Sequence, residues 1–159
     1  MNSVDKGHVL VILPTLKIGG AEKSLVQLAN RMSCNGWPVS LAVMSLEGRL
    51  IDSVDQSVEI IDLHCNRYSR ATLMLASIFK THRPALVLTS LYATGLAALV
   101  ARIISRYKPK VIIGAHNSLQ AKVAHPDNVK DKWLLMPLCR FLFPLADGFI
   151  PVSSGLAHE

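Results

Sequence analysis

The chain has 159 residues, half of them hydrophobic and 6% aromatic, with 17 Lys and Arg against 11 Asp and Glu for a net charge of +6. That length and apolar content suit one domain with a core of its own and exclude a disordered chain. No apolar run reaches the roughly 18 residues of a membrane-spanning helix, and neither a Lys/Arg run nor enough aromatic residues for base stacking points to nucleic acid.

The first element is a run of aliphatic residues, Val9-Leu10-Val11-Ile12-Leu13. It has no polar alternation, so it reads as a strand covered on both faces. Pro14-Thr15-Leu16-Lys17-Ile18-Gly19-Gly20 follows as a loop. Then Ala21, Leu25, Leu28, Ala29 and Met32 recur at helical spacing, which predicts a helix to about Ser33 that Asn35-Gly36 ends. Strand, glycine-bearing loop and helix in that order aim backbone N–H groups at the carboxyl edge of a sheet.

Residues 38–44 form the second predicted strand, residues 50–55 a short helix after a Glu47-Gly48-Arg49 turn, and residues 58–63 a strand nearer the sheet edge. A helix is predicted over 69–81, stopped by His82-Arg83-Pro84. Residues 85–90 are a buried strand, and Tyr92 and Thr94 fall in the loop before a very apolar helix that ends at Ser105. Residues 110–115 deliver His116-Asn117 into a polar loop that continues over 120–132. Residues 133–144 read as an apolar helix interrupted at Pro137, and residues 148–152 as a last strand before Ser153-Ser154-Gly155. Strands alternating with helices in this way define an α/β fold: a doubly wound, mostly parallel, six-stranded Rossmann-like sheet with helices on both faces.

Polar or glycine residues follow strand after strand at its carboxyl end, and these are the candidate site residues. Gly19-Gly20 lacks the third glycine and the acidic strand end of a dinucleotide fingerprint, so it reads as a close-approach turn at a helix start. Glu22 is expected only to complement the helix dipole. His116 is the candidate for handling a proton or contacting substrate. His8, His64, His82, His125 and His158 lack metal-ligand spacing, and no metal site is expected. Cys34, Cys65 and Cys139 suit neither a disulfide framework nor a Cys-x-x-Cys site. Arg67, Arg70, Lys80 and Arg83, with the apolar run 133–143, give cationic and apolar surface that could dock on anionic lipid.

With Gly19-Gly20-Ala21-Glu22 after the first strand, His116-Asn117 after the fifth and Ile150-Pro151-Val152-Ser153 before a helix, the chain resembles the N-terminal domain of a group 1 glycosyltransferase. Those are retaining enzymes with the two-domain GT-B architecture. The resemblance implies that residues 1–159 are the acceptor-side domain, with the donor-binding domain absent from the sequence. His116 would be catalytic, with Thr15, Gly19, Gly20, Ser90, Tyr92, Asn117 and Ser153 binding substrate. The expected partners are a nucleotide-sugar, which is a co-substrate rather than a cofactor, a glycan or lipid-linked acceptor, the missing domain and an anionic membrane surface. No cofactor and no nucleic acid are expected, and the location expected is the cytoplasm, at the inner membrane face. The chain alone is expected to transfer no sugar. Two other readings compete: a stand-alone module for a phosphorylated ligand such as a flavin mononucleotide, and a membrane-docking interaction domain.

Overall fold

The computed structural model describes residues 6–89, 92–115 and 140–151. In chain order these give β1 (Val9–Thr15), α1 (Gly20–Cys34), β2 (Val39–Ser45), a short 3-10 helix (Arg49–Ser53), β3 (Glu59–Asp62), α2 (Tyr68–His82), β4 (Leu86–Thr89), α3 (Tyr92–Ser105), β5 (Lys110–Ala115), a 3-10 turn (Phe143–Leu145) and β6 (Gly148–Pro151). The strands join in one sheet ordered β3-β2-β1-β4-β5-β6, and every neighbouring pair is parallel. The sheet is therefore wholly parallel where the sequence predicted mostly parallel, and β3 lies at its edge as expected.

The period of two along β1 explains why Val9 to Leu13 include no polar residue. Val9, Val11 and Leu13 pack with Val26 and Ala29 of α1 on one face, while Leu10 and Ile12 pack with Leu75, Phe79 and Leu99 of α2 and α3 on the other. The first five of the seven β1 side chains, Val9 to Leu13, are buried, and so is Phe79. Each such side chain contributes roughly 1.5–3 kcal/mol by leaving water. The two faces are thus closed by different helices, the doubly wound arrangement that the alternation of elements predicted.

Three sequence expectations shift. Leu28 is exposed and Val26 is buried, so the core-facing stripe of α1 is rotated from the predicted one and centred on Val26 and Ala29. α3 begins at Tyr92, which makes Tyr92 and Thr94 helical rather than part of a loop. The short helix after β2 is a 3-10 helix over Arg49–Ser53. By contrast, Asn35-Gly36 ends α1 as predicted. Gly36 has φ 78°, its N–H donates to Ser33 O at 2.8 Å, and Trp37 N–H donates to Met32 O at 3.1 Å. This pair of bonds is the Schellman closure that needs a left-handed residue after the helix. Most of the predicted 133–144 helix, the loop 120–132 and Cys139 lie outside the described residues.

At the amino edge, opposite the predicted site, a side-chain chain ties three strands and α2 together. His8 Nε2 donates to Ser40 Oγ at 2.8 Å, and Ser40 Oγ donates to Glu59 Oε2 at 2.5 Å. His82 Nε2 lies 3.9 Å from Glu59 Oε1. Because Nε2 carries the proton, His8 Nδ1 is left as a buried acceptor with no hydrogen-bond donor among the described residues. Burial first, and the nearby His82 second, hold the His8 imidazole below its ordinary value of 6.5, while the His82 carbonyl and Glu59 oppose the shift. The unfolded chain then takes up the proton at higher pH than the folded one. His8 contributes stability above about pH 6.5 that is lost as pH falls through the lower folded value. The melting temperature should drop between pH 7 and pH 5, and drop less in His8→Gln; equal slopes in calorimetry would exclude His8 as the source.

Candidate functional site

The order of the strands makes β1 and β4 neighbours whose chain connections run to opposite sides of the sheet. The crevice at their carboxyl ends is the topological switch point, where open α/β sheets hold ligands. Ile12 pairs with Thr89, so the chain after Thr15 on one side and the start of α3 on the other form its walls.

The β1 wall is shaped by Leu16. Its side chain is wholly buried, its N–H donates to Glu47 O at 2.9 Å, and its carbonyl accepts from Leu50 N–H at 3.0 Å. Between those two bonds sits Gly48, with φ 126°, and a Cβ there would collide with the Leu16 carbonyl and the Lys17 nitrogen. Lys17 Nζ and Glu47 Oε2, 2.9 Å apart, clamp the same two loops from outside. The hydrogen bond to Lys17, followed by its charge, holds the Glu47 carboxyl below its usual range. Thr15 Oγ1 accepts from Lys17 N–H at 3.4 Å.

The loop so braced ends at Gly19, the extended N-cap of α1, with no side-chain capping bond. The first bond of the helix runs from Lys23 N–H to Gly19 O at 2.9 Å. The N–H groups of Gly20, Ala21 and Glu22 consequently have no partner within the helix. The two glycines are not equivalent. Among the described residues, a Cβ on Gly20 would meet nothing within 4 Å, whereas one on Gly19 would strike the Glu22 carboxylate. The helix start is open at Gly20 and roofed at Gly19 by the chain's own acid.

On the other wall, Thr89 and Thr94 share a buried hydroxyl contact of 2.9 Å that ties the end of β4 to the first turn of α3. The Tyr92 ring stacks at a tilt on Phe143, 5.6 Å between centroids, and Phe143 meets Phe149 edge-on at 5.5 Å. These contacts connect the start of α3 to β6. Thr15 thus ends β1, Gly19 and Gly20 open α1, and Tyr92 opens α3 after the neighbouring β4. Ser90, His116, Asn117 and Ser153 lie outside the described residues, immediately after the described ends of β4 and β5 or just beyond β6. The bracing residues Leu16, Gly48, Thr89 and Thr94 were absent from the sequence-based candidates. The Glu47-Gly48-Arg49 turn was a signal for Gly48, and the polar end of the fourth strand, Thr89-Ser90, with Thr94 after it, was a signal for the two threonines. Among the described residues, no group of three or more His, Cys, Asp or Glu is placed to hold a metal ion, and no helix is long and apolar enough to cross a membrane.

The sheet order, the glycine-opened helix start and the crevice together describe one half of a GT-B type fold. The family model described as Glycosyltransferase Family 4 matches residues 18–159, and the chain belongs to that family. A search of curated proteins finds no match to the sequence. Among solved structures, the chain is similar to the lipopolysaccharide outer core galactosyltransferase WaaB in its apo form, with a TM-score of 0.65 at 14% identity, covering 95% of this chain and 41% of that one. It is similar to sucrose-phosphate synthase from Thermosynechococcus elongatus, with a TM-score of 0.66 at 11% identity over 90% and 41%. Nmra, a negative transcriptional regulator, shares the fold less closely, with a TM-score of 0.56 at 15% identity over 91% and 45%. At such identities these likenesses concern the fold. The chain spans about two fifths of the length of the first two of these structures.

Proposed function

We propose that this chain is the acceptor-side domain of a retaining glycosyltransferase that moves a sugar from a nucleotide-sugar to a glycan or lipid-linked acceptor, and that a donor-binding domain completes the site. The observation that carries the reading is the unobstructed backbone at Gly20, at the switch point of a sheet from a glycosyltransferase family. Departure of a nucleotide diphosphate builds negative charge on its oxygens. The N–H groups of Gly20 and Ala21, fixed at a helix start, stabilise that charge without reorganising. The Glu22 carboxylate repels a diphosphate on the Gly19 side, which leaves Gly20 as the point of closest approach. Its oxygens are suited instead to accept hydrogen bonds from acceptor hydroxyls.

In this reading His116, carried by the segment after β5, contacts the transferred sugar or the attacking hydroxyl, and Ser90, Tyr92, Asn117, Ser153 and Thr15 complete the substrate contacts. A cytoplasmic location at a membrane face would present lipid-linked acceptors to the crevice.

The test is transfer of labelled sugar by a protein carrying both halves and by this chain alone. Transfer requires both halves, and turnover by the chain alone would overturn the division of labour. In the two-domain protein, Gly20→Ala should lower turnover roughly tenfold to a hundredfold, because a methyl group there holds the diphosphate off by an ångström or more. The melting temperature should stay unchanged, since the Cβ enters open space. Unaltered turnover in Gly20→Ala would remove this backbone from the site.

A further inference from the structure

On the same carboxyl edge, two strands from β1 and so roughly 10 Å away, lies a second cleft that the transfer chemistry does not use. It has a volume of about 500 Å³ and is lined by Cys65, Asn66, Arg67, Ser69, Arg70 and Leu73, the chain between β3 and the outer face of α2. Its floor is fixed, because Leu63 N–H donates to Val43 O at 2.8 Å and Cys65 N–H donates to Met44 O at 3.0 Å. Cys65 is buried beneath it, and burial pushes the thiol up.

Arg67 and Arg70 have no carboxylate partner among the described residues, and the nearest acid along the chain, Asp62, is engaged with His64 Nδ1 at 3.1 Å. Lys80 and Arg83, which the sequence grouped with these two arginines, lie at the far end of the 15-residue α2. The four cations therefore form two separate sites rather than one lipid-facing patch. What remains at the cleft is Arg67 and Arg70 beside Asn66 and Ser69, with no acid among the described lining residues.

We propose that this cleft binds a phosphomonoester group on the acceptor. Two planar guanidinium forks match the three terminal oxygens and double charge of such a group, which a single cation would not neutralise. The proposal rests on the transferase reading for the word acceptor, but the site itself needs no sugar transfer to be observed.

Titration of the isotope-labelled chain with inorganic phosphate, then with glycerol 3-phosphate, at constant ionic strength should give saturable shifts of the amide resonances of Asn66 to Leu73. The Arg67→Gln, Arg70→Gln double variant should keep the wild-type spectrum elsewhere and bind roughly tenfold more weakly. Absence of saturable shifts, shifts equal to those from added chloride, or undiminished affinity in the variant would each overturn the site. In a parallel arm, co-sedimentation with phosphatidylglycerol vesicles without binding of glycerol 3-phosphate would assign the arginines to a lipid surface and overturn the phosphomonoester site. Because no arm measures transfer, loss of this site and loss of the transferase reading are separately visible.

Discussion

Replacing Gly48 with alanine should lower the melting temperature by roughly 4–8 °C, from a loss of about 2 kcal/mol or more in a chain of this size. The substituted residue keeps two liabilities that glycine lacks. At φ 126° an L side chain is strained, and the added methyl group is directed into the Leu16 carbonyl and the Lys17 nitrogen, which are backbone atoms with no rotamer to escape into. The collision can be relieved only by parting the loop after β2 from the loop after β1. That would break the bonds from Leu16 N–H to Glu47 O and from Leu50 N–H to Leu16 O. Since the same loop sets the position of Gly19 and Gly20, the start of α1 should lose its frame as well. Thermal unfolding by circular dichroism decides it, with Gly20→Ala as the comparison of equal chemical size. A melting temperature for Gly48→Ala as high as that of Gly20→Ala would show that the turn tolerates a side chain and does not brace the loop.

That contrast shows how far the sequence could be read. Val9 to Leu13 carried their own interpretation, because a run of five aliphatic residues between polar turns has few folded uses other than a strand buried on both faces. Asn35-Gly36 likewise marked the end of α1 by local chemistry alone. The rotation of α1 toward Val26 was not legible: Leu25, Val26, Leu28 and Ala29 are all apolar, so helical spacing admits neighbouring stripes, and only packing against Val11 and Leu13 selects one. Gly48 was visible as a turn residue but not as the support of Leu16, 32 positions earlier in the chain, because a contact across the β1–β2 crossover leaves no mark on local pattern. Gly19 and Gly20 looked alike for a similar reason. The Glu22 side chain, predicted only to complement the helix dipole, is what makes one of them covered and the other open.

Asp147→Ala should cost about 2 kcal/mol and free β6 from β5. Asp147 Oδ2 accepts from Val111 N–H at 2.8 Å and from Arg102 Nη1 at 2.8 Å, while Asp147 N–H donates to Val111 O at 2.9 Å. One carboxylate thereby joins the start of β5, the turn before β6 and the last part of α3. Truncation removes the acceptor of a part-buried backbone N–H and the partner of a guanidinium that is only 22% exposed, leaving Arg102 with the Leu145 carbonyl at 3.0 Å. Asp147→Asn can still accept from Val111 and should recover part of the loss, which separates the hydrogen bond from the charge. Hydrogen exchange should report the change locally, with faster exchange at Phe149 and Ile150 and little difference at Leu10 to Leu13. Uniform acceleration over both regions would mean that Asp147 stabilises the whole sheet rather than the seam. If the seam alone opens, the carboxyl ends of β5 and β6 lose their common frame. On the proposed function, in which His116 and Ser153 contact substrate, Asp147→Ala in a two-domain protein should then lower sugar transfer more than its stability loss accounts for.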